Sequence, residues 1–341
     1  MPNAATDWLR ERAADIRQCL SPLCKDVHDY ALLDWPVHSN VGDSAIWLGE
    51  LAFFMPVLGR SPAYVTASNE RAERLDHYCP EGPVFLCGGG NFGDIWPDMH
   101  ENRLHLLQTA PHRRIIQLPQ SIHFSSDAEL QRTRRIIAGH PDFILLVRDT
   151  ASFDLARRHF DCDVRLCPDM ALMLGPLPRP ALPVHDVFCL MRMDKERAFE
   201  GNLAVPGPVD DWILDEPPPE TTTEKIVRRL YWKSLSPRAP GLMKSVMMQR
   251  HIAVLNRYAQ QHMDRGLAML SQGRSVVTDR LHGHLLCVLL GIPHVVLDNS
   301  YGKIANFQQT WPADGLTCQV SAPEHVAEAL AQLGASPGKA V

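Results

Sequence analysis

The chain has 341 residues, 45% of them hydrophobic and 21% charged, with a formal net charge of −5. That length predicts two domains, in the composition of a soluble globular protein. The acidic balance argues against a general nucleic-acid binder, which needs a basic face.

In chain order, the opening MPNAATDWLRERAADIRQCL is charged and helix-like, without the apolar stretch of a signal peptide. Short apolar runs then alternate with amphipathic ones, the pattern of parallel α/β units. Strands are predicted at YALLDW, AYVTA, PVFLCGG, RRIIQLP, FILLVRD and VRLCP, with helices over 43–55, 69–78, 98–110, 126–139 and 150–160. GPLPRPALP, residues 175–183, contains four prolines and reads as an extended connector. Beyond it come strand VFCLMR, an irregular segment, a helix over 249–271 and strand SVVTD. Helix RLHGHLLCVLLG, strand HVVLD, the loop NSYGK and a short helix follow, and a last helix over 323–333 crosses back or packs at an edge. The expected units are an N-terminal domain over 1–178, a C-terminal domain over 184–322, and a helix and tail over 323–341.

Residues 199–250 fit this scheme least. From 224 to 250, seven cations face only Glu224, with Tyr231, Trp232, Leu242, Met243, Met247 and Met248 interleaved. Such density suits an anionic membrane surface or a lipid-linked acceptor. The plainer reading, a helical insertion with its apolar face on the body, is preferred. Nine scattered cysteines without a C-x-x-C pair suggest a reducing compartment. The longest apolar stretch, LLCVLLGIPHVVL, is broken by Gly291, Pro293 and His294, so no membrane span is expected. A cytoplasmic protein follows, with contact to the inner face of the membrane through 224–250 as the open alternative.

Polar signatures cluster where strands end, the place ligands bind in an open parallel sheet. In TDRLHGHLL, Asp279 or Thr278 is positioned to cap a helix beginning near Leu281, whose first-turn N–H groups attract anions. Arg280 adds a planar fork for a carboxylate or phosphate, and His282 a group able to give or take a proton. Pairing of Arg280 with Asp279 or Asp298 is the structural alternative, disfavoured because a buried cation without a task is expensive. His284 is expected to satisfy a carbonyl inside the fold, and a metal held by His282 and His284 lacks a third ligand.

HSNVGD reads as a substrate loop, with Gly42 allowing close approach and Asn40 and Asp43 offering polar ends; a capped Asx-turn explains it nearly as well. In CGGGNFGD, successive glycines including Gly89 and Gly90, followed by Asn91, bring the backbone close to a ligand or a packed helix. Their spacing is not that of a dinucleotide site. Arg148 of VRDT is a second anion anchor or a partner of Asp149 or Asp169, and Lys303 of NSYGK holds an acceptor or phosphate or is a solvated loop residue.

HSNVGDSAIW, FLCGGGNFGDIWP, IIQLPQSIHF, VRDTASFD, CPDMAL, TDRLHGHLL and GIPHVVLDNSYGK, in that order, resemble the polysaccharide pyruvyl transferase family over about residues 38–311. The resemblance implies an α/β fold of two Rossmann-like domains facing a cleft (GT-B-like). It also implies transfer of a pyruvate ketal from phosphoenolpyruvate onto a sugar of an exopolysaccharide or its lipid-linked precursor. It associates Arg148, Arg280 and His282, with Leu281 between the last two, with phosphoenolpyruvate. On this reading His282 is the general acid and Asp43 or Asp94 the base. Asn40, Gly42, Gly89, Gly90, Asn91 and Lys303 complete the binding surface, and neither metal nor cofactor is required. The rival is a nucleotide-sugar-dependent glycosyltransferase, against which the second half lacks an E-x7-E pattern. A non-catalytic sugar-binding or stress-related protein is a third class. The central expectation is a positive pocket in which Arg148 and the RLH turn share one hollow.

Overall fold

Strands buried on both faces are written as unbroken apolar runs, and FILLV and ALLDW meet that requirement. In the structure, a computed structural model describing residues 4–194, 196–198, 207–213, 220–236, 238–298, 302–313, 315 and 317–334, they become central strands of a parallel sheet. Its members are β1 (Ala31–Trp35), β2 (Tyr64–Ala67), β3 (Val84–Leu86), β4 (Gly89–Gly93), β5 (Ile115–His123), β6 (Phe143–Val147) and β7 (Asp163–Leu166). Their order is β2-β1-β3-β5-β6-β7, with β4 paired to β5. Helices α1 (Ala4–Leu20), α2 (Val41–Leu58), α3 (Leu75–Tyr78), α4 (Pro97–Thr109), α5 (Asp127–Ala138) and α6 (Thr150–His159) connect and cover them. The helix expected over 69–78 shrinks to α3. Residues 67–70 form a turn instead, in which the Glu70 carboxylate accepts the Ala67 N–H at 3.3 Å.

The second sheet contains β8 (His185–Leu190), β9 (Val209–Asp210), β10 (Gly273–Thr278), β11 (His294–Leu297) and β12 (Thr317–Val320) in the order β12-β11-β10-β8-β9. Its helices are α7 (Thr222–Ser234), α8 (Gly241–Ser271), α9 (Leu281–Leu290), α10 (Lys303–Thr310) and α11 (Val326–Gly334). Period-2 alternation divides its side chains between two cores. Phe188, Leu190, Val276 and Val296 join the large core shared with the first sheet, while Cys189, Met191, Val277, Val295 and Leu297 meet Val326 and Ala329 of α11. The last helix therefore packs on its own sheet and does not cross back.

Both sheets share one topology: the first strand is flanked by the second on one side and the third on the other. The reversal point lies between β1 and β3 in one sheet and between β8 and β10 in the other. Such a point opens a crevice at the carboxyl ends. α2 and α8 join the halves: Trp47 Nε1 donates to Asn256 Oδ1 at 2.8 Å, and Ser44 Oγ lies 3.2 Å from His262 Nδ1. α2 has the length and apolarity of a membrane span, but it is a core helix with Glu50 fully buried.

Candidate active site

The two reversal points meet at one cavity of about 240 Å³. The first sheet supplies His38, Asn40 and Asp43 after β1, Gly90 and Asn91 after β3, and Arg148 after β6. The second supplies Arg192, Asp194 and Glu196 after β8, Trp212 after β9, Arg280, Leu281 and His282 after β10, and Lys303 after β11. Arg148 and the RLH turn thus share one hollow.

Asn40, not Asp43, caps α2. Its Oδ1 accepts the Gly42 N–H at 3.1 Å, and its Nδ2 donates to Asp43 Oδ2 at 2.7 Å. Asp43 is left facing the cavity, with His38 Nε2 3.5 Å from the same oxygen. Gly42 lies against His282, and a Cβ there would overlap the imidazole.

The glycine run divides its labour. Gly88 donates its N–H to Glu50 Oε1 at 2.8 Å, and Gly93, at φ 114°, presses its Cα against the His123 carbonyl. Gly90 serves the cavity: a Cβ there would sit 2.9 Å from Arg148 Nη2 and 3.2 Å from Lys303 Nζ. Gly89, at φ 138°, lies just behind the lining. Asn91 is fixed by Arg103 Nη2 at 2.9 Å and Gln120 Nε2 at 3.0 Å, both donating to its Oδ1.

Arg148 is almost fully buried at the end of β6. Its Nε donates to Ser121 Oγ at 2.9 Å and its Nη1 to Asp169 Oδ2 at 2.7 Å, so of the two partners expected Asp169 is the one used. The same Asp169 oxygen lies 3.4 Å from His282 Nε2, within ion-pair reach but without hydrogen-bond alignment. Burial alone would raise the Asp169 carboxyl. The charges of His282 and Arg148 and the Ala171 N–H outweigh it and hold the group well below the usual carboxylate range. Asp169 is therefore a fixed anion that ties an arginine from one sheet to the histidine of the other.

Arg280 pairs with neither Asp279 nor Asp298. Its Nε and Nη2 form a two-pronged bond with Asp211 at 2.7 and 2.6 Å, and Nη2 reaches Asp194 at 3.3 Å. The guanidinium lies 5.7 Å over the Trp212 ring. Asp279 is not a cap: it accepts the Arg192 N–H at 2.8 Å. Thr278 Oγ1 accepts the N–H of Arg280, the N-cap residue, and no side chain caps α9. The first turn of α9 thus presents uncapped backbone at Leu281 and His282, both on the cavity wall. His284 bonds His294 rather than a carbonyl, Nδ1 to Nε2 at 2.7 Å, because α9 turns it into the core.

Lys303 starts α10 and spans the cavity, donating to both oxygens of Glu196 at 2.9 Å and to the Gly90 carbonyl at 3.3 Å. Burial lowers its ammonium and Glu196 opposes that, while Arg148 and Arg192 add repulsion; the net shift is downward. The hollow is less positive than expected, since Asp169, Asp194, Glu196 and Asp211 each face a cation. These carboxylates orient the forks, and Arg148 Nη2 and Arg280 Nη1 remain without a bond among the described residues.

Asp94 does not reach the cavity. Its carboxylate accepts the N–H groups of Ser125 and Ser126 and the Ser125 hydroxyl, at 2.7–2.9 Å, and ties the loop before α5. Sequence reasoning missed Arg192, Asp194, Glu196, Asp211 and Trp212. The available signal was position: all follow short strands of the second sheet at its reversal point.

The profile of the family described as polysaccharide pyruvyl transferase matches residues 40–301. The chain is 31% identical over 307 residues to "Pyruvyl transferase 1" of Schizosaccharomyces pombe, covering 82% of this chain and 69% of that protein. It is 31% identical over 280 residues to "Putative pyruvyl transferase EpsO" of Bacillus subtilis, covering 82% and 84%. It is 26% identical over 312 residues to "General stress protein 30" of the same bacterium, covering 85% and 79%. Among solved structures, an uncharacterised protein of Klebsiella pneumoniae shares the fold with a TM-score of 0.56 at 17% identity, over 90% of this chain and 99% of that one.

Proposed function

Because the chain belongs to the polysaccharide pyruvyl transferase family, we propose that it moves pyruvate as a ketal from phosphoenolpyruvate onto a sugar of an exopolysaccharide or its lipid-linked precursor. The observation that carries this reading is the single hollow holding Arg148, Arg280, His282 and the uncapped start of α9. A donor with a carboxylate and a phosphate matches two guanidinium forks and a helix N-terminus. Asn91 and Lys303 bound the same volume.

Protonated His282, with Asp169 as its counter-charge, delivers a proton to the methylene carbon of the donor, making C2 electrophilic. Asp169 beside Nε2 and Gly42 beside Nδ1 hold the ring in place at the cavity wall. A sugar hydroxyl attacks C2, the C2–O bond to phosphate breaks, and a second hydroxyl closes the ring. Of the two hydroxyl protons released, one restores the proton that His282 gave to the methylene carbon and the other ends on the departing phosphate. Asp43, hydrogen-bonded to Asn40, is the base for the attacking hydroxyl. No metal or cofactor enters this scheme. The arrangement is read as GT-B-like, with domains over 1–178 and 184–322 and a terminal helix and tail over 323–341, and the protein as cytoplasmic.

The test is phosphate release from phosphoenolpyruvate in the presence of simple and lipid-linked glycosides. Release that needs both substrates supports the reading; release of a nucleoside diphosphate from a sugar nucleotide in its place defeats it. His282→Ala is expected to cut turnover by about two to four decades with donor binding retained, and Arg280→Ala to weaken donor binding instead. Unchanged turnover in the first, or unchanged affinity in the second, removes that residue from the scheme.

A further inference from the structure

The hairpin of α7 and the first turns of α8 has a surface that the cavity does not use. Residues 222–250 hold seven cations and one carboxylate, a net of +6, so in a chain totalling −5 the remainder carries −11. Lys225, Arg229, Lys233, Arg238 and Arg250 are exposed and have no ion-pair partner among the described residues, whereas Arg228 pairs with Glu220 at 2.8 Å.

The hairpin is firmly seated. Tyr231 stacks on His251 with ring centroids 4.0 Å apart, Thr221 and Glu224 close a capping box on α7, and Met248 is fully buried. At 100° per residue, the opposite face of α7 carries Trp232, Lys225, Arg229, Lys233, Ile226 and Leu230 in angular order. Trp232 is 54% exposed, and on α8 Leu242 is 79% exposed, with Val246 and Arg250 following at four-residue steps. The plain reading of this segment as a packed insertion thus accounts for one face and leaves the other uncovered.

We infer that this face rests on an anionic lipid bilayer. Apolar side chains flanking cations suit the headgroup boundary, where the apolar tips enter and the charged heads stay among phosphates. A second copy would set +6 against +6. A nucleic acid would favour aromatic platforms, and Trp232 is the one exposed aromatic of the described hairpin. Gln249 Nε2 bonds the Pro62 carbonyl at 2.9 Å, placing the hairpin beyond the far end of α2. From its start at Gly241, α8 runs to Gly266, which packs on Val41 at the cavity end, roughly 38 Å at 1.5 Å per residue. The contact tethers the molecule without plugging the cavity, and it stands independently of which reaction occurs there.

The experiment is co-sedimentation of the full chain with vesicles of equal parts phosphatidylglycerol and phosphatidylcholine, against pure phosphatidylcholine. Binding is expected only to the anionic vesicles, weakening with salt. It should fall at least about 30-fold in the triple variant Lys225→Glu, Arg229→Glu, Lys233→Glu, and about 10-fold in Ile226→Ala with Trp232→Ala, with unfolding temperatures retained. Arg157→Glu with Arg158→Glu, exposed on α6, should bind as the parent does. No binding to anionic vesicles, equal loss in the α6 control, or binding to an oligonucleotide but not to vesicles overturns the inference.

Discussion

At position 42 no side chain larger than hydrogen fits, because a Cβ would enter the space of the His282 ring. Gly42→Ala improves the intrinsic helix propensity of α2 by at most about 1 kcal/mol, yet it must push the imidazole off its place beside Asp169. Turnover is expected to drop by about one to two decades with thermal unfolding little changed; parent-like kinetics would show that the ring tolerates displacement. Much of the cavity was legible from residue type. Asn40, Asp43, Gly90, Asn91, Arg148, Arg280, His282 and Lys303 are expensive or permissive residues at strand ends, and all line it, as does Leu281, which only the family resemblance had marked. Their partners were not legible. Arg280 and Asp211 are 69 positions apart, and local spacing offered the wrong aspartates, Asp279 and Asp298. Asp94 misled for the same reason: GGGNFGD looks like one site, but β4 carries the chain on past Asn91 to Gly93, and Asp94 beyond its end spends the carboxylate on two serine amides.

Elements were read well where the apolar pattern was long. Six strands of the first sheet, α8 from residue 249 onward, and α9 were found, because continuous burial and helical periodicity leave a strong trace. The two residues of β9, the four of β12 and the glycine-made β4 leave almost none. The joint between α2 and the turn after Asp169 was invisible for another reason, since it depends on a glycine in mid-helix. A Cβ at Gly49 would collide with the Met170 carbonyl, which is backbone and cannot rotate away. Gly49→Ala should therefore destabilise, the helix gain of about 1 kcal/mol being outweighed by overpacking of about 1–3 kcal/mol or more. A lower urea midpoint with an unchanged slope is the expected result; a raised midpoint would mean that the segment from Met170 yields.

Across the molecule, buried carboxyls and buried histidines pull stability in opposite directions with pH. His100, His251 and His284, kept neutral by burial, favour the fold more as pH rises toward 6.5, whereas a buried carboxyl does the reverse. Glu50, beneath the cavity, is pushed from 4.5 to about 8 by burial, with Asp169 and Asp34 adding like charge. A carboxyl whose folded value is raised contributes fully below its unfolded value and loses that contribution as pH climbs to the folded one. The window is thus about 4.5 to 8, and the loss is on the order of a few kcal/mol. Asp34 and Asp279, each raised by burial to about 6, act in the same direction. Glu50→Gln should gain on the parent by that amount between pH 5 and pH 8 in chemical denaturation, and parallel curves would refute the assignment.

The seam between α2 and α8 has one more implication. Gly266 admits Val41 into the surface of α8, and Ser44, Trp47 and the Ser39 carbonyl are fastened along the same helix by His262, Asn256 and Arg265. Walls riveted this way do not swing apart like jaws. A ligand of the cavity would come and go through a mouth of nearly constant shape, so under the proposed reaction whatever extends beyond the bound group, a short aglycone or a whole polymer, would trail outside without strain.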